Sequence, residues 1–148
     1  MSLASYKKKR KFTKTPEPKG EIGKGKKEPI FVVHEHWATH HHFDFRLEID
    51  GVLKSWAVPK GPPQKIGEKR LAVQVEDHPL EYAKFYGTIP EGQYGAGKVE
   101  IWDKGKLEIK EKMPNSIKFI LHGEKLKGDF SIFHPPTFER KNWLLVKK

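Results

Sequence analysis

The run Phe43-Asp44-Phe45-Arg46-Leu47-Glu48-Ile49 constrains this chain more than any other feature. Apolar and charged side chains alternate for seven residues. Only a β-strand with one buried face can use that spacing, because successive strand side chains point to opposite sides. Asp50-Gly51 follows at once, a pair that accepts the positive φ angles of a two-residue hairpin turn, and Val52–Val58 returns as the partner strand. Ile30–Val33 is a short apolar run, and Leu71, Val73 and Val75 alternate with Ala72, Gln74 and Glu76. Further strands are expected at 98–102, 106–110, 116–121, 129–133 and 142–146, with turns at Asp103-Lys104-Gly105 and His122-Gly123. Pro59–Pro63 and Gly87–Gly97 read as long connections, and helix is expected only in short pieces near 79–85. The fold class is therefore all-β, a small barrel of about eight strands with short helical pieces.

Charge divides the chain into a basic N-terminal arm, 1–27, and a body, 28–148. The net charge is +10 over 148 residues, and the arm holds ten basic against two acidic residues, leaving the body close to balance. With few apolar residues and with Pro16, Pro18, Gly20 and Gly23, the arm cannot build a core of its own. The stiff Thr15-Pro16-Glu17-Pro18 element lets part of it fold back onto the body. A basic arm attracts polyanions through counterion release, and residues 1–9 are expected to add salt-sensitive affinity for nucleic acid with little effect on rate. There is no Cys, which excludes a thiolate nucleophile, disulfides and cysteine-ligated metal. No apolar run approaches the roughly 20 residues of a membrane helix, and no apolar stretch follows the basic N-terminus. The expectation is a soluble cytoplasmic protein without a membrane partner, monomeric by default.

Five of the eight histidines lie between positions 34 and 42. On the strand, His42, Asp44 and Arg46 share the face opposite Phe43, Phe45 and Leu47, and side chains two residues apart, about 6.6 Å by backbone rise, can converge on one ion. His36 is expected in the preceding loop, curling back as a third ligand. Two histidines and a carboxylate suit Zn²⁺, Mn²⁺ or Fe²⁺ with open positions left over. Arg46 supplies a fork-shaped donor for a phosphate oxygen. A polar face that happens to be rich in histidine is the competing reading. His78 ends a strand and reads as a phosphate ligand, a general acid or a structural histidine, and Tyr82 as a second phosphate contact. Glu76 and Asp77 fit salt bridges as well as metal ligation. The loop Gly92-Gln93-Tyr94-Gly95-Ala96-Gly97 matches no phosphate-binding fingerprint and reads as a structural turn.

Four segments together carry a resemblance: His36–Glu48, Gly51–Pro62, Lys69–Leu80 and Gly87–Gly97, the last followed by Trp102-Asp103-Lys104-Gly105. In one register from about Arg10 to the C-terminus, the chain closely resembles the 3′-phosphoesterase domain of bacterial ATP-dependent DNA ligase D. With no polymerase or ligase domain attached, it looks like the stand-alone version of archaea and some bacteria.

The resemblance implies a DNA 3′-end-healing enzyme of non-homologous end joining. It would act on primer–template 3′ ends, removing a terminal ribonucleoside to leave a 3′-phosphate and then hydrolysing that phosphate to a 3′-OH for a separate DNA ligase. It implies Mn²⁺, with Zn²⁺ or Co²⁺ as substitutes, held by His36, His42 and Asp44. Phosphate contacts fall on Arg46, His78 and Tyr82, with Arg70 and Lys60 as further active-site residues. Arg10 and Glu17 match functional positions of an arm that folds over the site, and a protonated His78 is expected to donate to the leaving 3′ oxygen. Two positions depart from the family pattern: Lys11 stands where Asp is common, and His34 where Gln is common. The alternative is a non-catalytic basic β-barrel that binds nucleic acid ends.

Overall fold

The computed structural model describes residues 3–12, 14–18 and 28–148. The lysines at 19, 24, 26 and 27, which carry much of the arm's charge, lie outside the described residues. A short helix α1 (Leu3–Lys8) is followed by β1 (Ile30–Trp37), β2 (His41–Ile49), β3 (Val52–Val58) and β4 (Lys69–His78). After a 3-10 helix (Leu80–Lys84) come β5 (Gly87–Ile89), β6 (Gly97–Met113), β7 (Ser116–His122), β8 (Lys127–Phe133) and β9 (Asn142–Lys147). The strands pair in the order β1-β2-β3-β4-β9-β8-β7-β6, and β6 returns to β1, closing an antiparallel barrel of eight strands; β5 lies against the start of β6. Among the described residues no helix is long and apolar enough to cross a membrane.

The β2–β3 hairpin forms as expected, with φ of 54° at Asp50 and 80° at Gly51. Its two-residue turn fixes the register, so that Arg46 faces Ser55 and Asp44 faces Ala57. The expected turn at Asp103–Gly105 does not exist, because β6 runs through it as one long strand, pairing with β1 in its first half and with β7 in its second. Its turn-like residues serve a neighbour instead. The Asp103 carboxylate accepts the backbone N–H groups of Glu124, Lys125 and Leu126, fixing the β7–β8 turn. At Gly105 a Cβ would collide with the His122 carbonyl.

Two apolar clusters flank the wall formed by β1 to β3. Phe31, Val33, Phe45, Leu47, Trp56, Phe119, Phe130 and Leu145 fill the barrel interior. On the outer side, Val32, Leu53 and Val99 pack with Tyr6, Tyr82, Phe85 and Ile89. The outer face thus holds the even-numbered side chains of β1 and β2 under a sheath made by α1, the 3-10 helix and β5. The 3-10 helix falls where helix was expected. Helix α1 was not foreseen, and at six residues it depends on tertiary packing, chiefly the fully buried Tyr6. On β4 the inward residue is Ala72, whereas Leu71 is exposed, so the apolar alternation there marked the wrong face.

Candidate metal and phosphate site

β1 continues past its apolar start through His34, Glu35, His36 and Trp37, because β2 and β6 flank it on both edges and satisfy its backbone. His36 is therefore a strand residue, not a loop residue as expected. It stands directly across from His42, and His34 from Asp44. Strand parity then gathers His34, His36, His42, Asp44 and Arg46 on one outer wall.

Ligand atoms of His36, His42 and Asp44 lie within 4.8 Å of one another. His36 Nε2 lies 2.7 Å from the Gly95 carbonyl, and since a carbonyl only accepts, that nitrogen carries the proton. Its Nδ1 lone pair faces Asp44 Oδ2 at 3.5 Å. His42 Nδ1 donates likewise to the His40 carbonyl at 2.8 Å, leaving Nε2 facing Asp44 Oδ1 at 3.2 Å. Both rings are thus held in the tautomers that a cation needs, with backbone carbonyls as outer-shell partners. Burial opposes a charged His42, but the Asp44 carboxylate outweighs it and raises the His42 pKa. Burial likewise opposes a charged Asp44, yet Arg46 and the two histidines hold it well below the carboxylate range. His36 Nδ1 and His42 Nε2 thus converge on an ionised carboxylate, a set of donor atoms that fits a divalent cation once the cation displaces any proton between them.

Arg46 is fixed from three sides. Its Nε donates to His34 Nδ1 at 3.1 Å, Nη1 to Ser55 Oγ at 3.0 Å, and Nη2 lies 3.4 Å from Asp44. Its guanidinium carbon sits 4.9 Å from the centre of the Tyr82 ring. His34 is buried, with its other nitrogen on the Phe85 carbonyl at 3.0 Å. Burial and the neighbouring Arg46 lower its pKa to about 3, so the ring is neutral. A neutral imidazole offers one acceptor, to Arg46, and one donor, to the Phe85 carbonyl.

The described arm is part of the site wall. Arg10 pairs with Glu17 at 2.7 Å and with Glu76 at 3.4 Å, and Nη2 lies 3.5 Å from His78 Nε2. Glu17 also accepts from Tyr82 at 2.7 Å and from Thr15 at 3.0 Å. The Tyr6 ring packs on His78 at 5.0 Å, and Lys9 pairs with Glu76 at 2.9 Å. Residues 3–10 therefore build the site as well as carrying charge, and two of the arm's cations are committed to ion pairs. Lys11 is exposed and stands outside this network.

A cavity of about 580 Å³ opens onto the cluster, lined by Arg10, His36, His42, Asp44, Arg46 and His78 among others. Tyr82 also lines it, but its single hydroxyl proton goes to Glu17. His78 is buried, and burial together with Arg46 and Arg10 holds its pKa well below the usual value. Its Nδ1 donates to the Glu76 carbonyl at 2.9 Å. The expected protonated His78 is thus replaced by a neutral ring. Arg70 and Lys60 do not line the cavity: Arg70 turns to Glu68 at 3.2 Å, and Lys60 is exposed on the β3–β4 connection. Glu76 and Asp77 make ion pairs, with Lys9 and Lys54 respectively.

Ser55 and the Gly95 carbonyl went unnoticed in the sequence. Ser55 was legible in principle, since the Asp50-Gly51 turn dictates its pairing with Arg46. The Gly95 contact spans 59 residues and had no local signal.

A closed barrel with two imidazoles, a carboxylate and two guanidinium groups gathered on its outer wall defines a class of proteins equipped to hold a cation beside a phosphate. A profile of the DNA ligase D 3′-phosphoesterase domain matches residues 34–134, and the chain belongs to that family. It is 47% identical over 155 residues to the multifunctional non-homologous end joining protein LigD of Pseudomonas aeruginosa, covering 98% of this chain and 18% of that protein. The LigD of Mycolicibacterium smegmatis is 45% identical, over 96% of this chain and 20% of its own length. The LigD of Mycobacterium tuberculosis, a multifunctional non-homologous end joining DNA repair protein, is 48% identical over 88% and 18%. The chain spans about a fifth of the length of these curated relatives.

Proposed function

We propose that this protein processes DNA 3′ ends during non-homologous end joining as a metal-dependent phosphoesterase. It removes a terminal 3′ ribonucleoside and then hydrolyses the remaining 3′-phosphate, leaving a 3′-OH for repair synthesis or for a separate ligase. One observation carries this reading: His36 Nδ1 and His42 Nε2 converge on the ionised Asp44 beside an immobilised Arg46, all on one cavity wall. Family resemblance favours Mn²⁺, with Zn²⁺ or Co²⁺ as substitutes.

A divalent ion held by His36, His42 and Asp44 supplies Lewis acidity toward a phosphate oxygen. Arg46, locked by His34, Ser55 and Asp44, offers its remaining N–H groups to the phosphate without reorganisation. Arg10, held by Glu17 and Glu76, brings a second guanidinium to the same cavity. His78 contributes Nε2 as an acceptor, because burial and the two neighbouring guanidinium groups disfavour its charged form. The 2′-OH of a terminal ribose is the group that distinguishes a ribonucleotide end.

The test is a gel assay on a primer–template whose primer ends in one ribonucleotide, run with Mn²⁺, Zn²⁺ or EDTA. Stepwise conversion to 3′-phosphate and 3′-OH with Mn²⁺, lost with EDTA, supports the reading. Tight DNA binding without product under any metal makes the chain a binding module instead.

A further inference from the structure

The β1–β2 hairpin has a second face. His36 and His42 occupy one side, and by strand parity Trp37, His41 and Phe43 occupy the other. There the rings form a ladder. Trp37 stacks on His41 at 5.5 Å with a 20° interplanar angle, His41 meets Phe43 at 5.4 Å, and Phe43 meets Trp102 at 5.5 Å. The inner end, Phe43 and Trp102, packs against the barrel core, whereas Trp37 is 38% exposed. Lysines stand over both ends of the ladder: Lys98 Nζ lies 5.4 Å from the Trp37 ring and Lys125 Nζ 4.6 Å from the Trp102 ring. The alternating strand directions bring this face to the barrel mouth that also carries the exposed Lys60, Lys127 and Lys148. Carboxylates share that mouth as well: the exposed Glu124, the exposed Glu100, which pairs with Lys98 at 2.8 Å, the half-buried Glu35, which pairs with His41 at 2.8 Å, and Glu68, which pairs with Arg70 at 3.2 Å.

We infer that this ladder is a binding platform for single-stranded nucleic acid, on which an unpaired base next to the processed 3′ end stacks against Trp37. The inference rests on reading the cavity as an end-processing site. The tip residues Ala38, Thr39 and His40 line that cavity, and their immediate neighbours Trp37 and His41 carry the exposed end of the ladder. The tip is therefore a shared edge: a strand leaving the cavity over it arrives on Trp37. β1 lies between β6 and β2, so Trp37 stands between Lys98 and His41. A base takes the ring face that Lys98 covers, and the freed ammonium turns to a phosphate. Aromatic rings interleaved with lysines bind single strands with little sequence preference, because every base has a π face and every nucleotide a charge.

The experiment measures Kd by fluorescence anisotropy for a 3′-phosphorylated single-stranded 12-mer and for a fully paired blunt duplex. Hydrolysis of a 3′-phosphorylated dinucleotide is followed in parallel. Trp37→Ala should weaken 12-mer binding by about 5- to 100-fold, Trp37→Phe should recover most of it, and Glu100→Gln should tighten it by freeing Lys98. Duplex binding and dinucleotide turnover should stay within about twofold, the noise of such assays for a residue off the reaction path. Unchanged 12-mer binding in Trp37→Ala overturns the platform, as does an equal loss on the 12-mer and the duplex. Wild type that hydrolyses nothing yet loses 12-mer affinity on Trp37→Ala keeps the platform and overturns the proposed function. Wild type that hydrolyses the 12-mer while Trp37→Ala binds it normally does the reverse.

Discussion

His36 on β1 and His42 on β2 face each other across the ladder with ring centres 4.9 Å apart, each turned by a backbone carbonyl so that its other nitrogen looks toward Asp44. The pairing makes the site a property of two strands rather than of a loop, and its geometry follows from sheet register.

Asp44→Asn should abolish both hydrolytic steps and weaken Mn²⁺ binding by more than about 100-fold, since loss of a direct ligand exceeds the 10- to 100-fold typical of outer-shell changes. Isothermal titration with Mn²⁺ and the gel assay read both effects, and circular dichroism reports whether the barrel persists. Retained turnover in a folded variant contradicts the metal assignment.

His34 acts through Arg46. Replacing it with Gln keeps an acceptor for Arg46 Nε and should retain most activity. His34→Leu leaves that buried donor unpaired, at about 1–3 kcal/mol, and should lower kcat on DNA 3′ ends. Equal kcat in the two variants would remove the positioning role.

Tyr6 is fully buried against His78, Tyr82 and Phe12, although it belongs to residues 1–9, whose sequence implies affinity for nucleic acid with little effect on rate. Tyr6→Ala should destabilise the protein by about 3–5 kcal/mol if the arm unfolds with the body, as large aromatic truncations do. If only the arm detaches, the loss appears instead as lower kcat at saturating DNA with a normal thermal midpoint. Normal kcat together with a normal midpoint would show that the arm is peripheral.

Glu76 sets an acid limit on arm docking. Burial opposes its charge, but Lys9 and Arg10 outweigh that and lower its pKa below 4.5. Its stabilising contribution is therefore present above the unfolded-state pKa near 4.5 and is lost as pH falls through the lower folded value. The difference in thermal midpoint between wild type and Glu76→Gln should be constant from pH 5 upward and shrink below it. Asp77, raised by burial, works oppositely: its charge costs stability as pH rises through its folded pKa, so Asp77→Asn should gain on wild type across that rise.

Much of the barrel was legible because strand alternation and hairpin turns are local. Phe43–Ile49, Asp50-Gly51 and His122-Gly123 each carry their instruction within a few residues, and the structure follows them. Asp103-Lys104-Gly105 misled because composition alone cannot separate a turn from a strand whose Asp serves a neighbouring loop and whose Gly makes room for a carbonyl. β4 misled because its apolar residues lie on the face that is not the barrel interior.

For the site, the sequence by itself determined the chemistry. It supplied two imidazoles, a carboxylate and a guanidinium, three of them at a period-two spacing that any strand turns to one side. Tertiary structure alone decided that His36 joins them from a second strand, that Gly95 sets the His36 tautomer, and that α1 and Glu17 close the wall. Those decisions rest on contacts between residues far apart in the chain, and they exist only once the sheet has closed and the second apolar cluster has drawn the arm onto its outer face.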